Sequence, residues 1–188
     1  MRVLVTGFAP FLEHAVNPSD ALARALDGRR AHGVILRAQR PLPVEHGRAA
    51  RIALGAARRL GADAIVAFGL AAGTPRLRLE RVGRNRATSP HPDGRGRVAI
   101  GPLVPGAPAV RAATLPLAPL AAALRAAGVE VEPSDDAGGY VCNDLYYRLL
   151  HAGARALFVH LPADVEVWRL AAPMADGIAR AVVASASR

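Results

Sequence analysis

The chain has 188 residues, 52% of them apolar, with 18 Gly, 15 Pro and a net charge of +9. That length suits one domain, residues 1–188, with a substantial core, and the single cysteine excludes an internal disulfide framework and fits a reducing, cytoplasmic compartment. Every basic residue is Arg, the arginines are scattered, and no aromatics interleave with them as stacking platforms, so a solvated basic surface is expected and no nucleic acid. No apolar run approaches the ~18 residues of a membrane span, so no membrane is expected, and the amino-terminal run is too short for a signal peptide.

Arg2–Thr6 is a short apolar run ended by Gly7 and reads as a buried strand. Residues 7–14 form a loop. Asn17-Pro18-Ser19 predicts a helix start, with Asn or Ser as cap and Pro in the first turn. Ala21, Leu22, Ala25 and Leu26 give that helix its face, and Asp27-Gly28 ends it. Val34–Leu36 is a second strand. Pro41-Leu42-Pro43 is extended and leads to a helix from about Glu45 to Leu60, closed by Gly61. Ala64–Phe68 is a third, fully buried strand, ended by Gly69. Arg76–Val82 alternates basic and apolar residues, the period of a half-buried strand. Residues 83–109 are rich in Pro, Gly and Arg and read as an irregular excursion with one short strand at Val98–Ile100; loops of that length are usually functional or mobile. Then come a helix at Leu117–Ala127 ended by Gly128, a strand at Val129–Val131, a glycine loop and a helix to about Leu150. A last strand at Ala156–His160 is stopped by Pro162, and Met174–Ala184 is a carboxyl-terminal helix.

Strands alternating with helices predict an α/β protein: a single-domain three-layer α/β/α sandwich with a mainly parallel, partly mixed twisted sheet. Nothing in the chain reads as a repeat or a dividing linker. In such folds ligands gather beyond the carboxyl ends of the strands. The loops after the first and third strands, Cys142 and His160 would meet at that edge.

Cys142 is the most informative residue. It follows Gly138-Gly139, and the helical period begins at it, with Leu145, Leu149 and Leu150 on one face. A helix amino terminus points N–H groups and a positive dipole end at whatever sits there, and both favour a thiolate. The alternative is a free cysteine acting as a small buried hydrophobe. A cysteine nucleophile needs a base and an orienting group. His160 closes an apolar strand and is a candidate base, or else a core histidine satisfied by the backbone. Of the other histidines, His14, His32, His46, His91 and His151, most suit exposed side chains. Glu80 shares its period with Arg76 and Arg78, and spacing alone favours a salt-bridged surface strand of little energetic value. Asp135-Asp136 suits capping or solvation. No Cys or His pair has metal-ligand spacing, and the nearest phosphate-loop candidate, Gly69–Gly73, is weak.

Several segments, in order, resemble the intracellular cysteine-type pyrrolidone-carboxylate (pyroglutamyl) peptidases, family C15. Residues 3–11 with Asn17-Pro18-Ser19 are similar to that family's amino-terminal signature, and Leu42-Pro43-Val44 follows. Gly69-Leu70-Ala71 with Leu79-Glu80-Arg81-Val82 and Asn85 resembles the segment carrying its glutamate. Residues 104–108 and Thr114-Leu115-Pro116 are similar to its middle. Residues 136–143 with Tyr147 resemble its cysteine signature, and residues 158–162 its histidine segment.

The resemblance implies that Cys142 is the nucleophile, His160 the general base and acid, and Glu80 the residue orienting His160. It implies removal of an amino-terminal pyroglutamyl group from peptides through a thioester, with no cofactor and no metal, and a homo-oligomer, either dimer or tetramer. Phe8 and Phe11 would sandwich the substrate ring, Asn17 would hold their loop, and Leu70, Tyr140 and Val141 would help form the pocket; ordinary loop packing is the other reading of the two phenylalanines. The chain departs from the family pattern at Leu12-Glu13, at Thr74, at Pro90-His91 where an Arg-Ile pair is usual, and at Ala163. A drifted thiol amidase for another small lactam or acyl amide, or a non-enzymatic basic binding module, are the competing readings.

Overall fold

The apolar run at the amino terminus forms β1 (Arg2–Thr6), with four consecutive buried residues. The structure is a computed structural model that describes residues 1–11 and 17–186. The expectations placed on Leu12, Glu13 and His14 lie outside the described residues.

After β1 come α1 (Pro18–Leu26), β2 (Arg30–Ala31), β3 (Val34–Ala38), α2 (Arg48–Leu60) and β4 (Ala64–Leu70). Then follow β5 (Leu77–Glu80), β6 (Val82–Arg84), β7 (Val110–Ala112), α3 (Leu117–Ala126) and β8 (Val131–Ser134). The chain closes with α4 (Val141–His151), β9 (Ala156–Leu161) and α5 (Val167–Ala186). The main sheet is seven-stranded in the order β2-β3-β1-β4-β9-β5-β8. β1 runs parallel to β3 and β4, β4 to β9, and β5 to β8; β2 against β3 and β5 against β9 are antiparallel. The sheet is therefore mainly parallel and mixed at its edges, as the alternation of elements predicts.

Side chains of a strand alternate between faces, and the sheet uses both. Val3, Val5, Phe68 and Val159 face a core with Leu22, Leu26, Leu120, Leu124, Met174 and Ile178 of α1, α3 and α5. Leu4, Ile65, Ala67 and Phe158 face a second core with Ala49, Ala53, Leu145 and Leu149 of α2 and α4. The result is a three-layer α/β/α sandwich. Each fully buried Leu on these faces contributes roughly 1.5–3 kcal/mol.

Several expectations need correction. Val98–Ile100 forms no strand; Val98 and Ile100 are exposed and have no sheet to join. The excursion is instead bracketed by the antiparallel pair β6–β7. Gly69 does not end β4, which pairs with β9 as far as Leu70. The strand expected over Arg76–Val82 is split at Arg81 into β5, in the main sheet, and β6, in the small one. β8 begins at Val131, where the expected strand ends. In α1 it is Ala23, not Ala21 or Ala25, that joins Leu22 and Leu26 in the core. α5 starts well before Met174 and carries Pro173 within it.

Candidate active site

The site is built where β4, β5 and β9 end. Sheet register sets Gly69 of β4 and Arg78 of β5 on either side of His160. Glu80 pairs with Phe158, on the face that α4 covers. The Tyr146 ring lies 5.7 Å from that of Phe158, and its hydroxyl donates to the Glu80 carbonyl at 2.9 Å. That cover corrects the surface reading of Glu80: the residue is 0% exposed. Of the two arginines in its period, Arg76 takes the surface partner, Glu130, at 2.6 Å.

His160 Nδ1 meets Glu80 Oε1 at 2.8 Å, with both side chains buried. A carboxylate only accepts, so Nδ1 carries the hydrogen and Nε2 is the ring nitrogen left for Cys142. Burial opposes the imidazolium charge, but hydrogen bonds and charge interactions with Cys142 and Glu80 outweigh it, so the His160 pKa is raised to about 9. Glu80 Oε2 is buried without a hydrogen-bond partner among the described residues.

Cys142 is the second residue of α4, which begins at Val141, one position before the start expected at the cysteine itself. Its neighbour explains how it is held. An added Cβ on Gly69 would lie 2.8 Å from both Cys142 Sγ and the Phe158 ring. Only glycine at this position of β4 lets the sulfur settle over the sheet. The next residue, Asn143, is fully buried; its Oδ1 accepts from Arg84 N at 2.9 Å and its Nδ2 donates to the Arg84 and Arg86 carbonyls at 2.8 Å. The start of the excursion is thereby fastened to the helix that carries the thiol. The residue that precedes that helix, Tyr140, makes no side-chain cap, so the first-turn N–H groups are not satisfied by it.

Beside Cys142 lies a cavity of about 230 Å³ lined by Phe8, Phe11, Asn17, Leu70, Tyr140 and Val141, together with Val44, Ala72, Ser89 and His91. Phe8, Phe11, Leu70, Tyr140 and Val141, expected to form the pocket, and Asn17, expected to hold the phenylalanine loop, all line it. Phe8 is buried, and its N–H donates to Ser19 Oγ at 3.0 Å. Ser19 Oγ in turn donates to Asn17 Oδ1 at 2.7 Å, and Asn17 Nδ2 donates to the Ala9 carbonyl at 3.2 Å. Asn17 thus caps α1 and holds the phenylalanine loop, with its amide committed to the protein. Gly7 permits this closeness, since a Cβ there would fall 2.2 Å from the Ser19 backbone. The Phe11 and Tyr140 rings are 5.8 Å apart.

Tyr140 donates its hydroxyl to the Pro92 carbonyl at 2.8 Å. Burial, with the negative charges of Asp93 and Cys142, pushes its pKa up to about 12. Asp93 anchors the same loop. Burial opposes its charge, but the N–H groups of Arg97, Arg95 and His46 and the Arg97 guanidinium overcome this and hold it at about 2.

The sequence reading missed Val44, Ala72, Ser89 and His91. His91 is exposed, as expected of it, yet lines the pocket. The only signal for Ser89 and His91 was the length of the excursion. His46 is not an exposed side chain: its ring meets Tyr140 edge-on at 5.6 Å, and its Nδ1 lies 3.8 Å from the buried Asp144 Oδ1. Thr74 donates its hydroxyl to the Ala71 carbonyl at 3.1 Å and does not line the pocket, nor does Arg76. Among the described residues no cluster of His, Cys, Asp and Glu could hold a metal ion, and no helix is long and apolar enough to cross a membrane.

Residues 1–168 match the family described as pyroglutamyl peptidase. A pyrrolidone-carboxylate peptidase of Gloeobacter violaceus is 40% identical over 168 residues, covering 86% of this chain and 82% of its own. That of Chromobacterium violaceum is 43% identical over 162 residues, covering 85% and 77%. The solved pyrrolidone carboxyl peptidase of Pyrococcus furiosus superposes with a TM-score of 0.89 at 28% identity, covering 98% of this chain and 100% of that one. By its matched sequence and its shared fold, the chain belongs to the pyroglutamyl peptidase family.

Proposed function

We propose that this protein is a cysteine peptidase that removes an amino-terminal pyroglutamyl group from peptides through a thioester. The observation that carries this reading is a row of three side chains, Cys142, His160 and Glu80, beside an apolar pocket sized for one small ring. Pyroglutamate is a flat, neutral lactam without a free amine. A pocket walled by Phe8, Phe11, Val44, Leu70 and Val141 suits such a ring, and among the described residues its lining holds no carboxylate that would call for a charged amine.

In the proposed reaction Cys142 Sγ attacks the exocyclic carbonyl carbon of the pyroglutamyl residue. The negative charge that develops on the carbonyl oxygen is taken up by N–H groups of the uncapped first turn of α4. His160, protonated and held by Glu80, gives its Nε2 proton to the departing amine as the C–N bond breaks. Water enters, loses a proton to His160, and attacks the thioester carbonyl. Pyroglutamate leaves, and the sulfur regains its starting state. Glu80 touches no reacting atom; it fixes the ring and its tautomer.

We read residues 1–188 as one peptidase domain, working as a homodimer or homotetramer in the cytoplasm. The need for a reduced thiol, and the lone cysteine, support that compartment.

A fluorogenic pyroglutamyl amide assayed beside a panel of other aminoacyl amides tests the reading. Cleavage of the pyroglutamyl substrate alone is expected. Inertness towards it, with turnover of another amide, would replace this reading with a thiol amidase of different specificity.

A further inference from the structure

Arg78 stands between the two parts of the site. Its Nη2 donates to Ser134 Oγ at 2.6 Å and to the Asp136 carbonyl at 3.3 Å. Those residues end β8 and open the loop that delivers Gly138, Gly139, Tyr140 and Cys142. Ser134 Oγ also accepts from Asp136 N at 3.2 Å, so the guanidinium completes a small closed turn. Arg78 Nε lies 4.0 Å from Glu80 Oε1, the same oxygen that His160 Nδ1 meets. Along β5 the two residues are on one face, and Arg78 is the cross-strand partner of His160. Its side chain is 26% exposed, far less than the 51% of Arg76, which precedes the strand.

We propose that Arg78 is a positioning residue of the catalytic row: its guanidinium pins the loop that presents Cys142 and offsets part of the Glu80 charge that His160 feels. The proposal rests on the pyroglutamyl peptidase reading only for the role of the row, not for its geometry. Glu80 is fully buried, with one oxygen on His160 and the other without a partner among the described residues. A buried carboxylate needs compensation, and His160 supplies it only while protonated. Arg78 supplies it in both states. It therefore makes release of the His160 proton less costly, which the return of the proton in each cycle requires.

The charged and titratable groups around this pair are few. His160 faces Glu80 from β5 and Cys142 from α4; Tyr146 of α4 also faces Glu80, and burial, with the Glu80 charge, raises its pKa. Arg78 faces Glu80 on its own strand, and Glu132 of β8 at 3.9 Å. Glu132 is 43% exposed, so solvent screens it more than the buried Glu80.

The test follows His160 itself, so that it succeeds or fails independently of which amide is cleaved. The imidazole titration is recorded by NMR in wild type, Arg78→Met and Arg78→Lys, with the His160 signal assigned by its loss in His160→Gln. Removing a unit charge at this range should raise the His160 midpoint by about one pH unit in Arg78→Met. Arg78→Lys, which keeps the charge and not the fork to Ser134 and Asp136, should hold the midpoint near wild type. In the same proteins, alkylation of Cys142 by iodoacetamide should change at least about threefold in both variants, because both loosen the loop. An unmoved midpoint in a folded Arg78→Met would overturn the charge role, and unchanged alkylation in both variants would overturn the pinning role. If Arg78→Met does not fold, Arg78→Gln carries the same charge test with the hydrogen bonds partly kept. Failure of the wild type to cleave a pyroglutamyl amide, with the titration behaving as described, would remove the functional reading and leave Arg78 in place.

Discussion

Two regions meet at one edge of the sheet, and they are held in opposite ways. The row of Glu80, His160 and Cys142 is buried and set by strand register and by the first turn of a helix. The rim, residues 89–97 and 71–76, is exposed loop, fastened by isolated contacts such as Tyr140 to Pro92 and Asp93 to the Arg95 and Arg97 amides. Register cannot slip by one residue without turning every side chain to the other face, whereas a loop changes one contact at a time. The chemistry is therefore expected to be intolerant of substitution and the rim tolerant.

The sharpest way to break that contrast is at the thiol. Cys142→Ala should lower kcat/KM by on the order of 10⁴-fold or more, with an unchanged unfolding midpoint in urea. Substantial residual turnover would contradict the role assigned to it. Next is the base. His160→Ala should cost about 10³-fold and Glu80→Gln about 10²-fold in kcat, since an orienting group contributes less than the group that moves the proton. The opposite order, measured in the same assay, would mean that the two roles are exchanged.

Gly69 probes the row without touching a reactive group. Gly69→Ala puts a Cβ 2.8 Å from Cys142 Sγ and from the Phe158 ring. Activity should fall by about 10–100-fold, and stability by about 1–3 kcal/mol, read by steady-state kinetics and urea unfolding. A fully active variant would show that the sulfur need not sit where it does.

The pH profile sharpens the same region. His160 is raised from an ordinary 6.5 to about 9, so it is protonated below that value and loses its proton above it. kcat/KM should therefore fall as pH rises through about 9, by about tenfold per pH unit beyond it. Because the folded value exceeds the unfolded one, the associated stability is fully present below about 6.5 and is lost as pH rises through about 9. A profile flat through pH 9 would argue against a protonated His160 in the rate-limiting step.

At the rim the effects should be small. Tyr140→Phe removes the hydrogen bond to Pro92, worth about 1 kcal/mol. KM should rise a few-fold with kcat nearly unchanged. A large fall in kcat would place the hydroxyl in the chemistry and weaken the contrast.

The legible parts of the sequence divide along the same line. β9 is buried throughout, and β1 and β4 are buried but for one terminal residue each, so these apolar runs could be read directly. β7, with the pattern exposed–intermediate–exposed, carries no apolar period, and β2 is too short to carry one. Pro173 hid the first turns of α5, because a proline ordinarily ends a helix before it. In the site, Cys142 stood out as the lone cysteine, after a glycine pair at a helix start, and His160 as a polar group closing an apolar strand. Glu80 did not, since alternation along β5 is the same whether the second face meets water or α4. Only the order of motifs along the chain pointed to it. Ser89, His91 and His46 were illegible because their neighbours in space, Cys142 and Tyr140, are remote in sequence.

The central claim is that Cys142 becomes acylated by a pyroglutamyl group. It is tested most directly by acid-quenching the enzyme during turnover of a slow pyroglutamyl ester and mapping the adduct by peptide mass spectrometry. The account predicts one pyroglutamyl group on the peptide containing Cys142, released by neutral hydroxylamine as a thioester is, and absent after prior alkylation. Turnover that proceeds undiminished after Cys142 is fully alkylated, with no adduct on that peptide, would contradict it.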